Sequence, residues 1–200
     1  MAKFKDPTLQ KLIKSLGPDA LGDPRDGRPD DHYGALLRAI TGQQLSVKAA
    51  ATIYARTLKF FRGKVPTPRQ ILKADPEALK EAAGLSRAKV GYLRSLAEHV
   101  LDGELELEKL DKLPDEVVIE ELTAVKGIGV WTAHMFLMFH LERPDVLPTG
   151  DLGIRSAVKA AYGLKELPDH DTLTEIAEPW RPHRTLACRY LWASLDNEPN

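Results

Sequence analysis

Apolar residues in this chain recur three and four positions apart almost from end to end, and no stretch alternates apolar and polar side chains as a half-buried strand would. That period commits the chain to helices, each burying one stripe against its neighbours, so the expected fold class is all-α. The spacing predicts helices over 7–16, 33–41, 47–61, 67–73, 76–83, 87–101, 115–124, 130–141, 152–162, 171–177 and 182–195. Their ends carry the usual punctuation. Ser46, Thr67, Asp75 and Ser86 read as N-caps, Pro76 as a first helical residue, and Gly84 and Gly163 as stops. The string from 17 to 29 reads as a turn-rich loop rather than a domain linker, and the chain contains no internal repeat.

With 200 residues and 43% hydrophobic content the chain can bury a sizeable core, and we expect residues 1–200 to form a single domain. A formal net charge of -1 argues against the uniformly basic surface of a protein that coats nucleic acid. The charges are unevenly spread. Ten Lys/Arg against three Asp/Glu lie between Arg56 and Arg94, whereas nine acids and two lysines lie between Asp102 and Glu121. Solvated helix faces account for most of them. Cys188 is the single cysteine, which rules out an internal disulfide and points to a reducing, cytoplasmic setting. No apolar run reaches membrane-spanning length, and the N-terminal residues lack the apolar stretch of a signal peptide. The six histidines show no metal-ligand spacing with Cys188 or the acids, so no zinc site is expected.

The segment from Leu122 to Ala133 carries the most chemistry. Gly127 and Gly129 make a tight turn that leads straight into an apolar helix. Without Cβ atoms, glycines let backbone N–H groups approach a ligand closely, and the helix that follows adds unpaired N–H groups and the positive end of its dipole. An anion fits there. A lone carboxylate, Asp151, follows on the Pro/Gly corner Leu147-Pro-Thr-Gly-Asp151. Capping the helix that begins at Leu152 would by itself account for that residue, and a carboxylate beside a sugar would be a second use of it.

Five blocks together resemble the helix-hairpin-helix DNA base-excision glycosylases, and within them the 3-methyladenine DNA glycosylase II (alkylbase glycosylase) branch. They are Ile40-Thr-Gly-Gln-Gln-Leu-Ser46, Gly84-Leu-Ser-Arg-Ala-Lys-Val-Gly-Tyr-Leu93, the hairpin Val125-Lys-Gly-Ile-Gly-Val-Trp-Thr-Ala133, Leu147-Pro-Thr-Gly-Asp151-Leu-Gly-Ile, and Trp180-Arg-Pro-His-Arg184 with Trp192. The hairpin alone would be a weak signal. The resemblance implies two helical lobes with a cleft between them and a helix-hairpin-helix over about 115–141 at its mouth. A separate N-terminal sheet domain, which some members of the branch carry, is not expected.

Carried over position by position, the resemblance makes Asp151 the catalytic carboxylate, which stabilises an oxocarbenium-like sugar and orients the attacking water. Trp131 and Trp192 match the branch's pocket tryptophans, with Tyr33 and Tyr54 as further contributors; an indole face attracts a cationic methylated purine. For each of these aromatics, packing in the core is the competing reading. Gly127, Gly129, Thr132 and Lys126 are the expected phosphate contacts. The Gln43-Gln44-Leu45-Ser46 corner resembles the element that fills the gap left by an everted base. The branch often has an apolar residue directly after its first Gln, and this chain has Gln44, which leaves the wedge open between them. Hairpin carbonyls hold a monovalent cation in the family, which would place Thr123, Val125 and Ile128 around Na+ or K+. Relatives that hold an iron-sulfur cluster use four cysteines, and one cannot do so. No other cofactor is implied.

Trp131 also occupies the position where strand-nicking members carry a nucleophilic lysine, and an indole cannot form a Schiff base. The resemblance thus implies a monofunctional glycosylase, expected to be a monomer, that hydrolyses the N-glycosidic bond of alkylated bases of the 3-methyladenine type in duplex DNA for base excision repair. Two alternatives stand beside it: a non-catalytic helix-hairpin-helix module that binds DNA, and a glycosylase for oxidised or mismatched bases.

Overall fold

Side-chain caps set most of the helix starts in the computed structural model, which describes residues 4–23 and 27–196. In chain order these residues form α1 (Pro7–Leu16), α2 (His32–Gly42), α3 (Val47–Phe60), α4 (Pro68–Lys73), α5 (Pro76–Ala83), α6 (Arg87–Leu101), α7 (Asp115–Ala124), α8 (Val130–Phe139), α9 (Leu152–Tyr162), α10 (His170–Ala177) and α11 (Arg184–Asp196). Among the described residues there is no strand, as the apolar spacing implies. Ser46, Thr67, Asp75 and Ser86 each accept a backbone N–H of the following turn, and Thr67 with Gln70 closes a full capping box. Gly84 and Gly163 end α5 and α9 in the left-handed conformation.

The differences from expectation are small and local. Residues 18–20, within the expected loop, form a 3₁₀ turn, and two more 3₁₀ segments, Leu107–Lys112 and Glu178–Trp180, carry no apolar period long enough to announce them. Residues 24–26 of that loop lie outside the described residues. Helix α8 stops at Phe139 rather than at 141, and α11 starts at Arg184. No helix among the described residues is long and apolar enough to cross a membrane.

The chain divides into two compact units. The first comprises Met1–Asp26 and Leu137–Asn200, and there α1, α9 and α11 pack on one another around Leu9, Ile154, Val158, Trp180 and Leu191. Trp180 is fully buried and its indole N–H donates to the Tyr162 hydroxyl at 3.1 Å, as befits a structural tryptophan. At the start of α11, Arg184 forks onto Asp145, with Nε 2.8 Å from one carboxylate oxygen and Nη2 3.0 Å from the other. Burial tends to raise the Asp145 carboxyl, but the hydrogen bonds and charge of Arg184 with the nearby Arg181 hold it below the usual carboxylate range.

The second unit, Gly27–Phe136, is built on α6, which packs against α2, α4 and α5, while α3 lies on α2 and α5. Leu36, Leu37, Ile40, Leu93, Leu96 and Leu122 are fully buried in it. Fully burying one such side chain is worth about 1.5–3 kcal/mol, which is why α6, with several, can serve as the platform for the loops described below.

Candidate active site

The expected site residues fall into two groups, one in each unit. In the second unit, α7 ends at Ala124 and the turn through Lys126 and Gly127 closes with the Ile128 N–H on the Val125 carbonyl at 3.0 Å. Val125 and Ile128 are buried and anchor the turn, while Lys126 and Gly129 face outward. Gly127 stands at φ 93°, and a Cβ there would lie 2.1 Å from Cγ of Tyr92. The glycine is demanded twice, by its backbone angle and by the tyrosine ring filling the space beside it. Gly129 is different. A Cβ added there would meet nothing within 4 Å, so its backbone is open to an approaching group.

The expected corner from Gln43 to Ser46 is tied to this hairpin. Gln43 Nε2 donates to the Gly127 carbonyl at 2.7 Å and lies 3.4 Å from the Thr132 hydroxyl. Its amide thus points into its own unit. Gln44 adopts φ 57° and is exposed, Leu45 is exposed beside it, and Ser46 caps α3 through the Ala49 N–H. A non-glycine residue held in the left-handed region signals a backbone shape fixed by its surroundings. Thr132 is only 5% exposed, and its hydroxyl faces the Gln43 amide.

Three residues of α6 complete the support; Lys89 and Tyr92 lie in the matching block Gly84–Leu93, but none of the three was given a role from the sequence. Lys89 Nζ donates to the carbonyls of Thr41 and Gln43, both at 2.8 Å, at the end of α2, where unpaired carbonyls collect. Its partial burial lowers its pKa. Tyr92 packs on Gly127, and the Ser95 hydroxyl accepts the Lys126 N–H at 3.2 Å. Positions 89, 92 and 95 are three apart, so they share one helix face. That spacing was visible in the sequence, but it was indistinguishable from ordinary core periodicity.

Helix α8 is apolar on every side, the pattern of a buried helix. Thr132, Ala133 and Phe136 are indeed buried, yet Trp131 in its first turn is 50% exposed. A large half-exposed indole is the unusual feature here. The two expected tyrosines are placed otherwise. Tyr33 is only 7% exposed, its hydroxyl is buried without a hydrogen-bond partner, and burial pushes its phenol well up. Tyr54 has the Arg38 guanidinium over its ring, 5.9 Å from the centroid, and its phenol is raised by burial first and then by Asp31, against the opposing charge of Arg38. Tyr33 is thus packed within α2 contacts, whereas Tyr54 is half-buried under Arg38.

In the first unit, the Pro/Gly corner closes with the Asp151 N–H on the Pro148 carbonyl at 2.9 Å. Asp151 then caps α9, its Oδ1 accepting the Ile154 N–H at 2.7 Å. The same oxygen accepts the Trp192 indole N–H at 3.0 Å. This carboxylate is only 8% exposed, and a charge so buried persists only when donors satisfy it. Trp192 stacks on Phe139 with ring centroids 5.9 Å apart and an interplanar angle of 28°. Its N–H and one part of its ring surface are thereby engaged within the protein. Cys188 is fully buried in the same unit, and burial, then the Asp151 charge, push its thiol up, so it stays neutral.

Among the described residues no group of three or more His, Cys, Asp or Glu could hold a metal ion. Residues 37–182 match the HhH-GPD superfamily of base excision DNA repair proteins. This chain belongs to that superfamily. The DNA-3-methyladenine glycosylase 1 of Schizosaccharomyces pombe is 37% identical to this HhH-GPD protein over 186 residues, covering 92% of the chain and 79% of the relative. A solved structure of the 3-methyladenine DNA glycosylase from the same yeast, in complex with abasic DNA, matches with a TM-score of 0.84 at 35% identity and covers 96% of this chain and 93% of its own. The crystal structure of DNA-3-methyladenine glycosidase from Bacillus halodurans matches with a TM-score of 0.79 at 37% identity, covering 96% and 86%. The superfamily match over residues 37–182 spans the hairpin and the Asp151 corner alike.

Proposed function

We propose that this chain is a monofunctional DNA glycosylase that hydrolyses the N-glycosidic bond of alkylated bases, of the 3-methyladenine type, in duplex DNA during base excision repair. The observation that carries the reading is Asp151: a buried carboxylate held by two N–H donors in a chain of the base excision superfamily. The relatives named above, 3-methyladenine glycosylases by their names, support the substrate class.

In the reaction the C1′–N bond breaks with its electron pair leaving on the base. The deoxyribose takes oxocarbenium character, which the Asp151 carboxylate stabilises. Water then forms the new bond to C1′, with Asp151 orienting it and accepting its proton. An alkylated purine that already bears positive charge needs little further protonation to depart. Trp131, half exposed, offers an indole face that attracts such a cation more than a neutral base. Because Trp131 stands where strand-nicking members of the resembling family carry lysine, no Schiff base forms and the product is an intact strand with an abasic site.

The hairpin grips one phosphate through the backbone N–H groups of Gly129 and the first turn of α8, assisted by Lys126. Gln44 and Leu45, exposed on the corner that Gln43 anchors, fill the gap left by the everted base. Thr123 and Val125 sit at the carbonyl end of α7, where neutral oxygens and the negative end of the helix dipole favour a cation. The Val125 carbonyl keeps a second lone pair beyond its bond to Ile128, so these oxygens with that of Ile128 would hold a Na+ or K+, whose charge would stiffen the turn. The enzyme acts as a monomer inside the cell and needs no other cofactor.

The test is base release from methylated duplex DNA, read as alkali-cleavable abasic sites. Product from the wild type and none from Asp151→Asn, at equal DNA affinity, is the expected result. Absence of product above the Asp151→Asn control would remove the enzyme reading and leave a DNA-binding module.

A further inference from the structure

Gly153 is the second residue of α9, and its backbone requires no glycine. Alanine would favour the helix. What the position requires is space: a Cβ there would stand 3.0 Å from Asp151 Oδ1, 3.0 Å from Trp192 Nε1 and 3.1 Å from Trp192 Cδ1. The indole therefore lies where a side chain at 153 would begin. Phe139 backs its ring from another side. Asp151 Oδ1 receives N–H groups from two directions, one from its own helix and one from α11, and two such donors hold a carboxylate against rotation.

We propose that Gly153 is a positioning residue for the reaction: by admitting the Trp192 edge to hydrogen-bond distance of Asp151, it fixes the orientation of the carboxylate that faces the sugar. The inference rests on the reading of Asp151 given above and deepens it. Trp192 acts through Asp151, Phe139 acts through Trp192, and Gly153 provides the clearance that both need. A methyl group at 153 displaces the indole or the carboxylate by a few tenths of an ångström. Displacements on that scale, small for stability, are costly for a group that must be aligned with a developing charge.

The test uses Gly153→Ala, Trp192→Phe and the double variant in the full chain, with single-turnover base release, DNA affinity and the indole N–H resonances of 15N-labelled protein. Gly153→Ala is expected to slow base release on the order of ten-fold, with DNA affinity unchanged and thermal stability equal or higher. Trp192→Phe keeps a ring against Phe139 but loses the donor, so adding Gly153→Ala to it brings no further loss. The Trp192 indole resonance, assigned by its disappearance in Trp192→Phe, should move in Gly153→Ala and also in Asp151→Asn. Gly153→Ala with an unmoved indole resonance and a rate within about two-fold of wild type, or losses from the two variants that multiply, overturns the inference. If Gly153→Ala does not fold, Phe139→Leu replaces it: slower base release and a shifted Trp192 resonance are expected, and an unmoved resonance with a rate within about two-fold of wild type, or losses that multiply with those of Trp192→Phe, overturns the inference. A wild type without base release defeats the enzyme reading instead, and the indole resonances then decide the carboxylate orientation by themselves.

Discussion

In the hairpin, Gly127 stands at φ 93° with the Tyr92 ring filling the space where its Cβ would go; beside Asp151, Gly153 has a backbone any residue could adopt, and its missing Cβ makes room for Trp192. The first glycine is needed for the fold of its turn. The second is needed for the distance between two other side chains. Around the hairpin, the side chains of Gln43, Lys89 and Ser95 bind backbone atoms, so the shape of the corner is set by its backbone. Around Asp151 the bonds converge on one carboxylate oxygen, so a single charge is held in place. On the proposed reading, a phosphate grip tolerates exchange of side chains that leaves the backbone alone, whereas an aligned carboxylate tolerates little.

The sharpest way to break this comparison is Asp151→Asn. Asparagine caps a helix about as well as aspartate, so melting should shift little while base release falls by at least about 100-fold. A variant that stays active shows that the charge at 151 was only a cap. Gly127→Ala comes next, and its effect should appear in stability: positive φ plus overlap with Tyr92 should cost about 2–4 kcal/mol in a denaturant titration. Wild-type stability would mean that the hairpin turn can be rebuilt without its glycine. Trp131→Ala removes a half-exposed ring, so the expected outcome is unchanged melting with base release from methylated DNA slowed on the order of ten-fold. Equal rates on cationic and neutral lesions in the wild type would deny that indole its role. Smallest of all is Gly129→Ala. Its methyl meets no protein atom, so stability should hold, and DNA affinity should weaken by about three-fold to ten-fold as a phosphate is kept from the backbone. A loss of stability there would place Gly129 with Gly127 as a folding residue.

Helix positions were legible because a 3.6-residue period and side-chain caps act locally: Thr67, Asp75 and Ser86 do in space what their places in the sequence announce. Asp151 was legible in both of its readings, and its capping bond to Ile154 is present. The aromatic assignments were the least legible. Tyr33 and Tyr54 have the residue type that a base pocket uses, but helix packing encloses one and sets Arg38 over the other. Trp192 was singled out as a pocket residue, while its bond to a carboxylate 41 residues away in sequence was not. Lys89, Tyr92 and Ser95 were hidden for the same reason: a helix face that supports a loop has the same spacing as one that fills a core.

By itself the sequence determined the all-helical class, the places where most helices begin and end, the two-glycine turn before α8 and the carboxylate that caps α9, since each depends on residues within a few positions of one another. Only the tertiary structure decided that Gln43 turns inward to hold the hairpin, that Thr132 is buried, that Tyr92 occupies the space beside Gly127, and that Trp192 donates to Asp151 across the gap left by Gly153. Those contacts join residues far apart in the chain, and their distances follow from how whole helices pack, which no local pattern encodes.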